Sequence, residues 1–162
     1  MITSAQEYYN NLWRLGSLNA PSLAILLPGT ENIYNIDLNS RRIEAPAYLS
    51  VEQDHRAEMI YFVTDRFYDG YDLATTVCVI QYLNKTTNKS GIYAVPFYDI
   101  NTKSTPEQAK ILFPWCIDGL VTEAAGEVEY SVRFYAIDES KKIIYNLNTI
   151  PSTSKVLHGL NA

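Results

Sequence analysis

Apolar side chains recur at every second position through much of this chain, the period of a strand with one face buried. The clearest case follows Gly126: Val128, Tyr130, Val132, Phe134 and Ala136 alternate with Glu127, Glu129, Ser131, Arg133 and Tyr135. Upstream, Tyr34, Ile36 and Leu38 alternate with Asn35, Asp37 and Asn39; Asn39-Ser40 makes a tight turn and RRIEAP returns as a second hairpin arm that ends at Pro46. EMIYFVTD predicts a strand with Met59, Tyr61 and Val63 on one face and Ile60 and Phe62 on the other. LATTVCVIQYL is apolar on both faces, which predicts a central strand. GIYAVPFYDI and KILFPWCI contain Pro96 and Pro114, and proline cannot donate to a ladder, so each predicts an edge strand or a bulge. IIYNLN is the last predicted strand.

Turn signals recur every eight to twelve residues or so, and no helix stands between strands to make a crossover. The expectation is an all-β fold: an antiparallel, Ig-like β-sandwich of about eight strands. The first segment differs. Thr3 and Gln6 have the spacing of a capping box, Tyr8, Leu12 and Leu15 recur at helical spacing with Trp13 beside them, and Gly16 offers a stop. These residues predict a short N-terminal helix. The expected organisation is a helical arm over 1–20, a sandwich over 21–148 and an extended C-terminal tail over 149–162, whose small and polar residues promise little core. Two roles for the helix stand side by side: packing on its own sandwich, or packing on a neighbouring subunit.

The chain has 162 residues, which suits one domain. Its net charge of −5, with no basic stripe, argues against nucleic acid and anionic membranes as partners. MITSAQEYYNNLW has neither the positive start nor the apolar run of a signal peptide, and no stretch approaches a membrane span, so synthesis and assembly in the cytoplasm are expected. Cys78 and Cys116 sit in apolar runs and read as reduced, buried thiols. The thirteen tyrosines fill strands, with a surplus suited to contact surfaces.

Catalytic signals are weak. There is no GxSxG, HExxH, CxxC or phosphate-binding glycine loop, and the reading is of a protein that is not an enzyme and uses no cofactor or metal. Asp65, Asp69 and Asp72 share one loop; three carboxylates at this spacing could hold calcium, and turn-forming aspartates bonded to their own backbone are the plainer alternative. Phe67, Tyr68 and Tyr71 in that loop, with its aspartates, make a candidate sugar-binding surface. His55 is expected to be a partly buried loop residue with one backbone bond, a pH switch or a ligand being the alternative, and Trp115 is expected in the core between sheets, an exposed sugar-stacking ring being its rival.

Three runs carry a family likeness: AEMIYFVTDRFYDGYDLATTVCVIQYLN, KILFPWCIDGLVTEAAGEVEYSVRFYAID and IIYNLNTIPSTSKVLHGL. Together they resemble the N-terminal domain of baseplate upper proteins, and of related fibre or adaptor proteins, in tailed phages of Gram-positive bacteria. The likeness covers about residues 45–160 and rests on Lys110, Trp115, Ile117, Ala125, Gly126, Val128, Ser131 and Phe134. It implies an Ig-like sandwich whose role is assembly: a virion component in baseplate or tail, or a fibre-anchoring adaptor. A head or neck decoration protein and a carbohydrate-binding module are the alternatives. The implied partners are other virion proteins, further copies of the chain and a separate fibre or receptor-binding protein. Tyr8, Leu12, Trp13, Phe67, Tyr68, Tyr71, Leu157 and His158 are the expected contact residues.

Overall fold

A computed structural model describes residues 32–100 and 108–160. Thirteen strands are defined there: β1 (Ile33–Asp37), β2 (Arg42–Ile43), β3 (Tyr48–Val51), β4 (Met59–Asp65), β5 (Phe67–Tyr68), β6 (Tyr71–Asp72), β7 (Val77–Asn84), β8 (Lys89–Ala94), β9 (Asp99–Ile100), β10 (Lys110–Cys116), β11 (Gly126–Ile137), β12 (Ile143–Asn148) and β13 (Ser152–Leu157). A single 3-10 turn at Leu73–Thr75 joins β6 to β7. One sheet has the order β2-β1-β4-β10-β9; the other runs β3-β13-β11-β7-β8, with β12 also on β11; β5 and β6 form a separate small hairpin.

The period-two pattern fills the space between the sheets. Ile60 and Phe62 of β4 and Ile111, Phe113 and Trp115 of β10 face Cys78, Ile80 and Tyr82 of β7 and Val128, Tyr130, Val132 and Phe134 of β11 in one buried cluster. Trp115 lies at its centre, with ring centroids 5.1 Å from Tyr130, 6.0 Å from Tyr82 and 6.5 Å from Phe62. Each such side chain contributes about 1.5–3 kcal/mol through burial. Both parities of β10 are buried, which accounts for its unbroken apolar run. Cys78 and Cys116 are free and buried.

The expectation of an edge strand or a bulge for each proline run is corrected: β10 lies between β4 and β9 without a register shift, and Pro96 lies in no strand. The run GIYAVPFYDI is not one strand: β8 ends at Ala94, the chain crosses between sheets through Val95–Tyr98 with Pro96 in the crossing, and β9 belongs to the other sheet. Pro114 lies inside β10, but β9 pairs only with Ile111 and Leu112, so no partner on that side needs a donor from position 114.

Two further expectations are corrected. The sheets are mixed, because β1 runs parallel to β4 and β3 runs parallel to β13. The expected tail over 149–162 is, as far as residue 160, not an extended tail, because β13 lies inside the larger sheet between β3 and β11. Strands β12 and β13 together form one long partner for β11, broken at Thr149. There the Val132 N–H donates to Thr149 Oγ1 and the Thr149 N–H donates to the Val132 carbonyl, both at 2.9 Å, so the ladder survives the break. Ser154, although polar, is buried because its hydroxyl lies 2.7 Å from the Tyr130 hydroxyl and donates to the Pro46 carbonyl at 2.6 Å. The predicted helix, with Tyr8, Leu12 and Trp13, lies outside the described residues.

Candidate functional site

The loop singled out for its acids and aromatics folds into the smallest hairpin of the chain. Asp69 and Gly70 both take positive φ, 51° and 80°, and Tyr68 pairs with Tyr71 across them. This is the two-residue turn that Asp-Gly favours. Arg66 closes the hairpin base with a bidentate bond to Asp72, Nε to Oδ1 and Nη2 to Oδ2, both 2.9 Å. Asp72 also accepts from the Ala74 N–H and so caps the 3-10 turn. The Arg66 bond holds the Asp72 carboxyl below its ordinary range, against a smaller opposing effect of burial.

The hairpin leans on β12 and on the β1–β2 turn. Tyr71 stacks on Tyr145 with centroids 3.7 Å apart and planes 9° from parallel. Arg41, itself at a φ of 63°, sits over the Tyr68 ring at 5.2 Å and donates to the Asn148 carbonyl at 2.9 Å. The Arg66 guanidinium covers Phe67 at 5.1 Å. A face of each of the three predicted aromatics is therefore engaged from within the chain. The carboxylates do not converge: Asp65 pairs with Lys110 at 2.5 Å, Asp72 with Arg66, and Asp69 makes the turn. Among the described residues, no group of three or more His, Cys, Asp or Glu side chains could hold a metal ion.

At the other predicted contact region, Leu157 pairs with Val51 inside the sheet and His158 is 88 % exposed, its Nδ1 3.5 Å from Glu52 Oε1. The Glu52 carboxylate also accepts from the Gly159 N–H at 3.0 Å, the largest of the effects that lower its pKa. His55 is exposed, not partly buried, and accepts one backbone bond, from the Gly119 N–H at 2.9 Å.

Two features escaped the sequence reading. The first is a set of exposed aliphatic side chains where the β11–β12 hairpin outruns the sheet: Ile137, Ile143 and Ile144 are 47 %, 55 % and 62 % exposed, with Ile143 and Ile144 on opposite faces of β12, and Val77 is exposed at the start of β7. The second is a cleft of about 440 Å³ where edge strand β3 stands beside β1 and β4. Asn32, Tyr34, Tyr48 and Glu58 line it above a floor that includes Leu49 and Ile60, both buried. Tyr48 was legible only as an aromatic following a proline, with no alternation long enough to place it.

The described residues form an all-β fold of two mixed sheets around an aromatic core, with an internally stacked aromatic corner, exposed isoleucines at the β11–β12 hairpin end and a mixed cleft beside β3. The chain matches no protein-family model, no curated protein and no solved structure.

Proposed function

We propose that this chain is a non-enzymatic structural subunit of a tailed-phage particle, in baseplate or tail or as a fibre-anchoring adaptor, and that it assembles with further copies of itself. The Ig-like description of its two sheets belongs to the same proposal, supported by a buried tryptophan between facing sheets. The residues that carry the family likeness have structural roles: Trp115, Ile117, Val128 and Phe134 are core, Lys110 pairs with Asp65, and Gly126 takes a φ of 130°. They therefore speak to the fold, and the assembly reading rests on a different observation.

That observation is the exposed aliphatic end of the β11–β12 hairpin. Three large aliphatic side chains at the end of a hairpin gain nothing from the chain's own core, and exposed apolar groups of this kind suit a protein contact. A second copy is the occupant proposed. Two copies that each carry a net charge of −5 repel at long range, so the contact proposed here rests on the apolar side chains and not on charge. Light scattering on the full chain should give a multiple of 18.4 kDa, and Ile143→Lys with Ile144→Lys should return it to that mass. A wild-type mass of one chain at about 100 µM, weaker than most specific assemblies require, would remove the assembly claim. Absence of the chain from purified particles by mass spectrometry would remove the virion claim.

A further inference from the structure

We propose that the cleft beside β3 binds a neutral saccharide. This does not rest on the virion reading and would hold for an isolated monomer.

Its size is that of a ligand site. A volume of about 440 Å³ falls within the range of small-molecule pockets. The lining combines what a sugar ring needs. Leu49 and Ile60 form an apolar floor, and Tyr48 supplies an exposed phenol ring against which the C–H face of a pyranose packs. Asn32 and Glu58 add a planar carboxamide and a planar carboxylate, groups that bond neighbouring hydroxyls in pairs. Tyr48 is 57 % exposed, so its ring is available to a ligand.

The charge of the ligand follows from the same residues. Among the described residues, no Lys, Arg or His lines the cleft, and the charged group that does is the Glu58 carboxylate. A uronate or another acidic sugar would bring two negative charges together, so a neutral sugar is preferred. The position also differs from the surface expected from sequence. At the hairpin corner, Tyr71 is stacked on Tyr145 and Tyr68 lies under Arg41, whereas Tyr48 in the cleft is open to solvent.

The test uses the full chain, titrated calorimetrically and by amide chemical shifts with the disaccharides of glucose, galactose and N-acetylglucosamine. Glucuronate and tetramethylammonium are titrated alongside. At least one neutral disaccharide should bind with a Kd of about 0.1–1 mM, with shifts centred on residues 47–49 and 58–60. Tyr48→Ala should weaken it about tenfold or more and Glu58→Gln severalfold, whereas Tyr68→Ala at the corner should leave it unchanged. Glucuronate should bind about tenfold more weakly than the neutral sugar. The proposal fails if no neutral sugar binds by about 20 mM, if Tyr48→Ala has no effect in a folded variant, or if shifts map to the corner. Tighter binding of tetramethylammonium than of any sugar would make the cleft a cation site and overturn it as well.

Discussion

Asn84 is the most informative single residue to remove. It ends β7 fully buried, and every polar position of its side chain is used. Nδ2 donates to the Val121 carbonyl at 2.9 Å and the Ala124 carbonyl at 3.0 Å; Oδ1 accepts from the Thr86 N–H at 2.9 Å and the Thr87 N–H at 3.2 Å. One carboxamide thus ties the β7–β8 turn to the loop that leads into β11. Asn84→Ala leaves two carbonyls without donors and two amides without acceptors. Water reaches the turn amides more readily than the buried Val121 carbonyl, so two to three groups bear most of the loss. At roughly 1 kcal/mol for each bond, and more where a group stays dry, the cost is about 2–4 kcal/mol. For a chain of this size that is a fall in Tm of about 5–15 °C. Urea denaturation followed by tryptophan fluorescence measures it directly.

Asn84→Asp sharpens the test. The carboxylate keeps both acceptor bonds but turns an oxygen toward two carbonyls, so the folded pKa should rise above the unfolded value near 4. A raised folded pKa favours the folded state most at low pH. The variant should therefore come closest to wild type below about pH 4 and lose ground as pH rises through the folded pKa. A loss under about 0.5 kcal/mol for Asn84→Ala, or an Asn84→Asp deficit that does not change with pH, would refute the account.

Two further outcomes follow from the same geometry. A Cβ at Gly91 would sit 2.6 Å from Tyr82 Cζ, so Gly91→Ala must displace that core ring and should cost about 1–3 kcal/mol; a Tyr82→Ala background should remove most of the penalty in a double-mutant cycle. The Arg66–Asp72 pair, about a quarter exposed, should contribute roughly 1 kcal/mol. Because the Asp72 pKa is depressed in the fold, that contribution is present above about pH 4 and is lost as pH falls through the folded value. The stability gap between wild type and Arg66→Met should thus shrink toward pH 2.5, and a gap constant with pH would contradict the assignment.

The strands that sequence revealed are those whose own alternation reports burial. The β11 set from Val128 to Phe134, the β4 and β7 runs, and Trp115 in the core were all legible because each residue's partner lies across a hydrophobic interior. β3 and β13 were not, because their burial depends on distant neighbours. Ser154 is core only because Tyr130 and Pro46 satisfy its hydroxyl, and Ser50 is buried beside Asp54, whose carboxylate accepts its hydroxyl at 2.7 Å. The two parallel pairings join segments with no local turn between them, so no turn signal could announce them. The Asp-Gly hairpin was available in principle, since Asp69-Gly70 is a strong turn signal; its short arms, Phe67–Tyr68 and Tyr71–Asp72, carry too little alternation to read as strands. Of the candidate site, sequence indicated the aromatic loop but neither Tyr145 nor Arg41, which close it from 74 and 27 positions away (145 − 71; 68 − 41).

The placement of β13 changes what assembly can use. A C-terminal strand held by β3 on one side and β11 on the other cannot be withdrawn to grip a neighbour without opening the larger sheet. Under the assembly proposal, the described residues offer contacts where pairing stops. β11 is twelve residues long, but β7 pairs with it only as far as Tyr135, so Ile137 overhangs and takes its β12 neighbours with it. β3 has four residues beside the six of β13, and the cleft lies along that short edge strand. Both surfaces are products of unequal strand lengths. Isoleucine at 143 and 144 suits a strand whether or not anything covers it, since β-branched residues favour the extended conformation. Exposure at the hairpin end therefore does not by itself require a partner, and the Ile143→Lys, Ile144→Lys variant decides between the two accounts: an unchanged mass leaves β-propensity as the whole explanation, and a fall to one chain adds a contact to it.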